Sequence, residues 1–472
     1  MSDLAIVWFR RDLRLADNPA LDHARSEHAQ VLPVFINDPD AEGDWAPGGA
    51  QRWWLHHSLA ELDRRLRDRG SRLHLMAGDS ASQLDALIES TGARAVFWNR
   101  AYEPALVERD KAIKRALRDR QLAVQSFRAS LLFEPWELRK DNGEPYQVFT
   151  PFWKQMQRRW RAPQLAPEPR ELNTPEVSGG LELAELGLEP ELDWTRGLSQ
   201  RFEPGELAAR RRLRDFVEDG VAAYHGERDR PDHAGTSRFS AHLHHGELSP
   251  GQVVLALDET GQLPTGEGRL SLVRELAWRE FSAVMLFDRP SLPEVPLKSQ
   301  FEDFPWRKPS DYADDLKAWQ RGQTGIPMVD AGMRELWATG WMHNRVRMIV
   351  ASFLTKNLLI PWQEGARWFW DTLVDADLAS NTQGWQWTAG CGADAAPYFR
   401  VFNPVLQGQK FDPRGDYVKR WCPELKNRPV KRIHEPLAEG ERCCDYPQAI
   451  VDLKVSRQRA LDAYDQVKGR QA

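Results

Sequence analysis

Short apolar runs alternate with amphipathic stretches over the first third of the chain, and helical patterns fill most of the rest. Residues 4–9, LAIVWF, are six apolar positions closed by Arg10 and Arg11, the pattern of a strand buried on both faces. Similar runs recur at 31–36 (VLPVFI), 72–78 (RLHLMAG), 93–99 (ARAVFWN) and 122–127 (LAVQSF). Asp17 is placed to cap a helix with Pro19 in its first turn. AQRWWLHHSLAELDRRLRDRG has helical periodicity and reaches Gly70, a residue suited to stopping a helix. Strands alternating with helices predict a parallel-sheet α/β domain over residues 1–130.

A linker is expected over 131–204; within it, residues 161–200 are rich in Pro, Glu and Gly and keep no period. From 205 to 472 helical segments dominate, among them ELAARRRLRDFVEDGVAAYHG, SLVRELAWREFSAVMLF, NRVRMIVASFLTKNLL and GARWFWDTLVDADLAS. The fold class read from the pattern is α/β plus all-α.

Composition narrows the functional classes. The chain has 472 residues, 41% hydrophobic and 28% charged, which suits a globular protein of two or three domains. Its N-terminus turns charged after six apolar residues, unlike a signal peptide. No apolar run approaches a membrane span. The four cysteines (Cys391, Cys422, Cys443, Cys444) form no C-x-x-C pair, so neither a disulfide framework nor a zinc site is expected, and a cytoplasmic location fits. A net charge of −5 gives no global footprint for nucleic acid, although a local basic rim would suffice. Neither G-x-G-x-x-G nor a P-loop is present, which disfavours an ordinary dinucleotide-binding domain. Twenty tryptophans usually mean core or interface, and also suit a protein that handles planar rings or moves electrons.

Four segments carry candidate chemistry. In HAGTSRFSAHLHHGELSP, Thr236, Ser237, Arg238 and Ser240 could cradle a phosphate, and a Ser/Thr-rich helix cap would use the same residue types. His242, His244 and His245 lack the spacing of a helical metal pair. In RELAWREF, Glu275 and Trp278 share a helical face that could line a pocket, while Glu275 and Arg279 could form a plain surface pair. In GWMHNRVRM, Trp341, Asn344, Arg345 and Met348 fall on one side and Arg347 points away. That mixture suits a flat polar ring beside phosphate, or a buried Trp and Met with solvated arginines. In LVDADLASNTQGWQWTAG, Asp375 and Asp377 precede Asn381, and on a helix Trp385 and Trp387 would point to nearly opposite sides.

These segments in this order resemble the photolyase/cryptochrome family. The likeness rests on WFRRDLRLADNPAL, GTSRFS, ELAWREF, TGIPMVDAGMREL, GWMHNRVRMIVASFLTKNLLI, DLASNTQGWQW and DAAPYFRVFNP, spanning residue 7 to about 425. Within the family, WMHNRVRM with WQW looks most like class I-type cyclobutane pyrimidine dimer photolyases. GGAQRWWLHHSL and NRAYEPALVERD look more like class III and plant-cryptochrome-related segments.

The resemblance implies an α/β antenna domain and an all-helical domain holding FAD. Tyr224, Thr236, Ser237, Arg238, Phe239 and Ser240 would line the flavin phosphates and ribityl chain. Asn344, Arg347, Asp375, Asp377 and Asn381 would surround the rest, with Asn381 near the flavin N5. Glu275, Trp278, Asn344, Arg345, Met348 and Trp387 would take the lesion, and Arg228, Arg400 and Gln407 would meet the DNA backbone. Trp385, Trp362 and Trp306 would relay electrons to the flavin. The implied activity is blue-light repair of pyrimidine dimers in DNA by a monomer, with a cryptochrome-like photoreceptor as the alternative. Methenyltetrahydrofolate is the first expectation for an antenna chromophore and deazaflavin the second. Leu272 and Ile326 depart from the Trp and Tyr common in relatives.

Overall fold

The computed structural model describes residues 3–395, 399–436 and 445–468; Cys443 and Cys444 lie outside them. The chain divides into two compact units. The first comprises Met1–Ala222, Ser237–Pro290 and Val374–Asp377; the second comprises Ala223–Thr236, Ser291–Leu373 and Leu378–Ala472.

All five expected strands form. They are β1 (Leu4–Phe9), β2 (Gln30–Asn37), β3 (His74–Ala77), β4 (Ala95–Asn99) and β5 (Ala123–Phe127), in one sheet of order β3-β2-β1-β4-β5. Every neighbouring pair is parallel. Helices α1 (Pro19–Glu27), α2 (Gly49–Arg67), α3 (Ser80–Thr91) and α4 (Pro104–Asp119) cross between them.

The period of two along a strand assigns each side chain to a face. Ala5, Val7 and Phe9 of β1 join Phe35, Ala95 and Phe97 in one core. Leu4, Ile6 and Trp8 join Val34, Val96 and Trp98 in the other. A sheet covered on both faces needs apolar residues at every position, which is why β1 reads as an unbroken run.

Two local expectations change. The cap of α1 is Asn18, one residue after Asp17: the Leu21 N–H donates to Asn18 Oδ1 at 3.1 Å. Asp17 instead adopts a left-handed φ of 55°, and its Oδ1 accepts from the Ala166 N–H at 3.1 Å. The stretch 161–200 is no free tether. Leu172, Leu186 and Leu188 are buried in the sheet's core, and the Leu181 N–H donates to Leu75 O at 2.8 Å. Glu168 binds Arg65, Arg69 and Arg210, which fastens the stretch to α2.

The last strand ends at Phe127, and the regular elements beyond it are helical among the described residues. No helix there is long and apolar enough to cross a membrane.

Candidate functional site

In the first unit, Ser237, Arg238 and Phe239 make a tight turn into a short helix, Ser240–His244. Arg238 sits at φ 56°, a conformation that costs a non-glycine residue about 1–3 kcal/mol and collects at functional sites. Neighbours hold it there. The Arg212 Nε–H donates to Ser237 O at 2.8 Å, and buried Phe239 packs edge-on against Phe216 at 5.4 Å. Ser237, Arg238 and Ser240 fall within four residues of this turn, residue types whose hydroxyl and guanidinium donors fit a dinucleotide's phosphates.

Helix Glu267–Asp288 carries Glu275 and Trp278, both half-buried. Trp278 stacks flat on Phe149, with centroids 3.8 Å apart and planes 6° apart, and meets Phe281 edge-on at 5.7 Å. Arg279 donates to the carbonyls of Ser130 and Leu243. Phe149 was not expected from sequence; its partner lies more than a hundred residues away.

The same unit has a cleft, partly open to solvent, at the carboxyl ends of β1 and β2. Arg10, Arg11, Asp38, Glu42, Gln51 and His244 are among its lining residues. It adjoins the point where strand order reverses between β1 and β4, the usual ligand position in open α/β sheets. Arg11 pairs with Glu42 and Glu103, and burial pushes the Glu42 carboxyl up. His244 Nε2 meets Gln51 Oε1 at 3.1 Å, and its Nδ1 lies 3.9 Å from Asp377. Burial lowers the pKa of His244, and of His245 strongly, so both rings are neutral. Asp375 is buried.

In the second unit, helix Asn344–Ser352 starts at a His343 cap, whose Nδ1 accepts the Arg345 N–H at 3.1 Å. Asn344 is exposed. Arg345 reaches Met348 Sδ at 3.7 Å, while the Arg347 Nε–H turns to Met342 O at 2.8 Å. Arg345 and Met348 thus come together and Arg347 diverges, whereas Trp341, expected on the same side, is buried ahead of the helix. Arg345 also pairs with Asp229 at 2.9 Å and lies 4.5 Å over the Phe411 ring. Tyr224 is buried, and Arg228 four residues later is half-buried. Gly235, just before Thr236, packs on Glu227 so closely that a Cβ would come 2.5 Å from it.

Helix Leu378–Ala389 carries the two indoles. Asn381 Nδ2 donates to Ala366 O at 3.0 Å. Trp385 is buried against Gly365, with Phe369 edge-on at 5.0 Å and Trp319 at 6.2 Å. Trp387 has other neighbours: its Nε1–H donates to Asp394 O at 3.1 Å, and it lines a small cavity with Lys356, Arg400 and Phe402. Successive steps of 100° put residues two apart on nearly opposite faces, and the structure follows that rule. Trp362 is fully buried and Trp306 packs on Phe304 at 4.4 Å. Among the described residues no ring contact joins Trp385, Trp362 and Trp306. Gln407 is half-buried on helix Pro404–Phe411, which Asn403 caps through Val405 N and Leu406 N. Leu272 and Ile326 are both buried, as core residues are.

The sequence matches two family descriptions: DNA photolyase over residues 5–171, and FAD binding domain of DNA photolyase over residues 272–466. The chain belongs to the photolyase/cryptochrome family. It is 46% identical to a deoxyribodipyrimidine photo-lyase of Agrobacterium fabrum over 98% of both chains. It is 38% identical to cryptochrome-2 of Arabidopsis thaliana, over all of this chain and 80% of that one. Among solved structures, a bacterial class III photolyase from Agrobacterium tumefaciens superposes with a TM-score of 0.93 at 46% identity, covering 99% of this chain and 98% of that one. An archaeal photolyase from Sulfolobus tokodaii, described with two FAD molecules, gives 0.84 at 30% identity, covering 98% and 100%. The family and fold expectations hold. The class I-type expectation gains no support: the 46% likeness is to a class III enzyme, and the antenna-domain segments that looked class III agree with it.

Proposed function

We propose that this protein is a DNA photolyase that repairs cyclobutane pyrimidine dimers under blue light. The observation that carries this reading is the end-to-end likeness to a deoxyribodipyrimidine photo-lyase. FAD is the cofactor, supported by the family domain over residues 272–466 and by the Ser237–Ser240 turn. Bound in its reduced form and excited by light, FAD supplies the electron that opens the ring and takes it back.

The chain's residues do the rest. Tyr224, Thr236, Ser237, Arg238, Phe239 and Ser240 hold the phosphate and ribityl portion. Asn344, Arg347, Asp375, Asp377 and Asn381 fix the ring and ribose. Asn381 is aimed by its bond to Ala366 O, which leaves Oδ1 and the second amide hydrogen for the flavin edge. Trp278, backed by Phe149, offers a rigid flat face to a base taken out of the stack, and Trp387, Arg345 and Met348 complete the lesion's surroundings. Glu275 holds the pyrimidine edge, its carboxylate accepting the ring N–H beside the carbonyl on which charge develops. Arg228, Arg400 and Gln407 meet the DNA backbone, so affinity falls as salt rises. Trp385, Trp362 and Trp306 feed electrons to oxidised flavin across gaps wider than ring contact.

The cavity at the β1 and β2 ends takes the antenna. Asp38 and Glu42 suit the amino and ring N–H donors of a pterin, and Arg10 and Arg109 suit a glutamate tail, so methenyltetrahydrofolate is the occupant we favour. Extracting the chromophores and identifying them by absorption and mass tests this. Deazaflavin, or two FAD per chain, would replace the folate assignment.

The decisive experiment gives reduced, FAD-loaded protein an oligonucleotide with a thymine dimer under blue light. Recovery of thymines is expected. A protein that binds FAD yet restores none under light is a cryptochrome-like photoreceptor and not a repair enzyme.

A further inference from the structure

The geometry points to a divalent transition-metal site at His56, His57 and Glu189, none of which is among the residues assigned to flavin, lesion or antenna. His56 and His57 are neighbours on α2, and successive helical side chains normally diverge by about 100°. Here they converge on one carboxylate. His56 Nε2 lies 3.6 Å from Glu189 Oε2 and His57 Nε2 lies 3.7 Å from Oε1. The ligand atoms of all three residues fall within 4.8 Å of one another.

Both separations are too long for good hydrogen bonds. They match two ligands sharing one ion. With metal–nitrogen and metal–oxygen bonds of about 2.1 Å, ligands at roughly 110–125° stand ~3.4–3.7 Å apart. Two imidazoles and a carboxylate select zinc, nickel or copper over magnesium or calcium, which prefer all-oxygen shells.

The site is built before an ion arrives. The His57 ring is held edge-on by buried Trp53, centroid to centroid 4.8 Å. Glu189 is delivered by a turn anchored in the core: Leu186 and Leu188 are buried, and Gly187 between them takes φ 60° to reverse the chain. Gln51 and Leu55 on α2 line the antenna cavity, while His56 and His57 follow on another face. An ion here would pin the Leu183–Glu189 stretch to α2.

Glu189 is half exposed, which leaves room for water as a fourth ligand. His56 Nδ1 is buried without a hydrogen-bond partner among the described residues. The outer-shell bond that tightens structural sites is missing, so the ion exchanges.

The test is calorimetric titration of zinc chloride, and separately magnesium chloride, into full-length, FAD-loaded, metal-stripped protein, with thermal unfolding alongside. One zinc per chain, no magnesium, and a higher unfolding midpoint with zinc are expected. His57→Gln and Glu189→Gln should each weaken zinc binding by at least about tenfold. Both should keep wild-type flavin absorption and the wild-type midpoint in chelator. Zinc binding unchanged in both variants would place the ion elsewhere and overturn the assignment. Absence of heat and of any midpoint shift in wild type would overturn it as well.

Discussion

Arg345 and Asp229 form an ion pair at 2.9 Å, with the guanidinium carbon 4.5 Å over the centre of the Phe411 ring. The arginine we assign to the lesion's surroundings therefore already has an anionic partner, and DNA must compete with that carboxylate for it. The pair is part-exposed, so it is worth roughly 0.2–1 kcal/mol. Asp229→Asn should strengthen binding to undamaged duplex by about two- to fivefold and narrow the preference for dimer-containing DNA. Fluorescence anisotropy at several salt concentrations reads both quantities. Affinity that stays the same or falls would show that Asp229 does not restrain Arg345.

Phe149 and Trp278 stack as closely as any two rings described. An offset aromatic pair contributes about 0.5–1.5 kcal/mol beyond its buried area. If that stack fixes the face offered to the flipped lesion, Phe149→Leu should weaken dimer binding by about two- to tenfold. Flavin content should not change. A variant that loses flavin and dimer binding together would make Phe149 a general core residue and not a support for Trp278.

The sheet was legible because burial on both faces leaves a contiguous apolar run, as in LAIVWF, and all five runs became strands. Helical spacing was legible too: it separated Trp385 from Trp387 and Arg347 from Arg345. The cap of α1 was misplaced by one residue because Asp17 and Asn18 are equally good caps in isolation, and only the bond to Ala166 chooses between them. Phe149 with Trp278, Asp229 with Arg345, and Glu189 with His56 each join residues over a hundred positions apart. No periodicity reports such pairs, because the fold and not the local chain sets them. Gly365 opened the helical segment read from sequence, and only the structure, where the helix begins at Trp362, places it inside and against Trp385.

Gly365 faces the Trp385 indole, and a Cβ there would fall 2.0 Å from Cη2. Gly365→Ala should cost about 1–3 kcal/mol by overpacking and should move the ring. The expected outcome is a lower unfolding midpoint together with slower photoreduction of oxidised flavin. Trp385→Phe should abolish photoreduction by this route and spare repair by enzyme reduced beforehand. Photoreduction at the wild-type rate in Trp385→Phe would remove Trp385 from the relay.

Lys356 is fully buried beside Trp387's cavity; its Nζ donates to Arg400 O at 2.9 Å and lies 3.9 Å over the Phe399 ring. Desolvation pulls its pKa down to about 7. The unfolded amine titrates near pH 10.4, so between about pH 7 and 10 the unfolded chain binds the extra proton. The cost of burying the ammonium is complete below pH 7 and disappears as pH rises toward 10. Wild type should therefore gain stability relative to Lys356→Met across that window, by up to about 1.4 kcal/mol per pH unit. The lost bond to Arg400 O adds a roughly constant offset and does not change the slope. Denaturant midpoints of both proteins from pH 6.5 to pH 9 measure it. A stability difference that is flat with pH would mean that Lys356 keeps an ordinary pKa, with water reaching its amine.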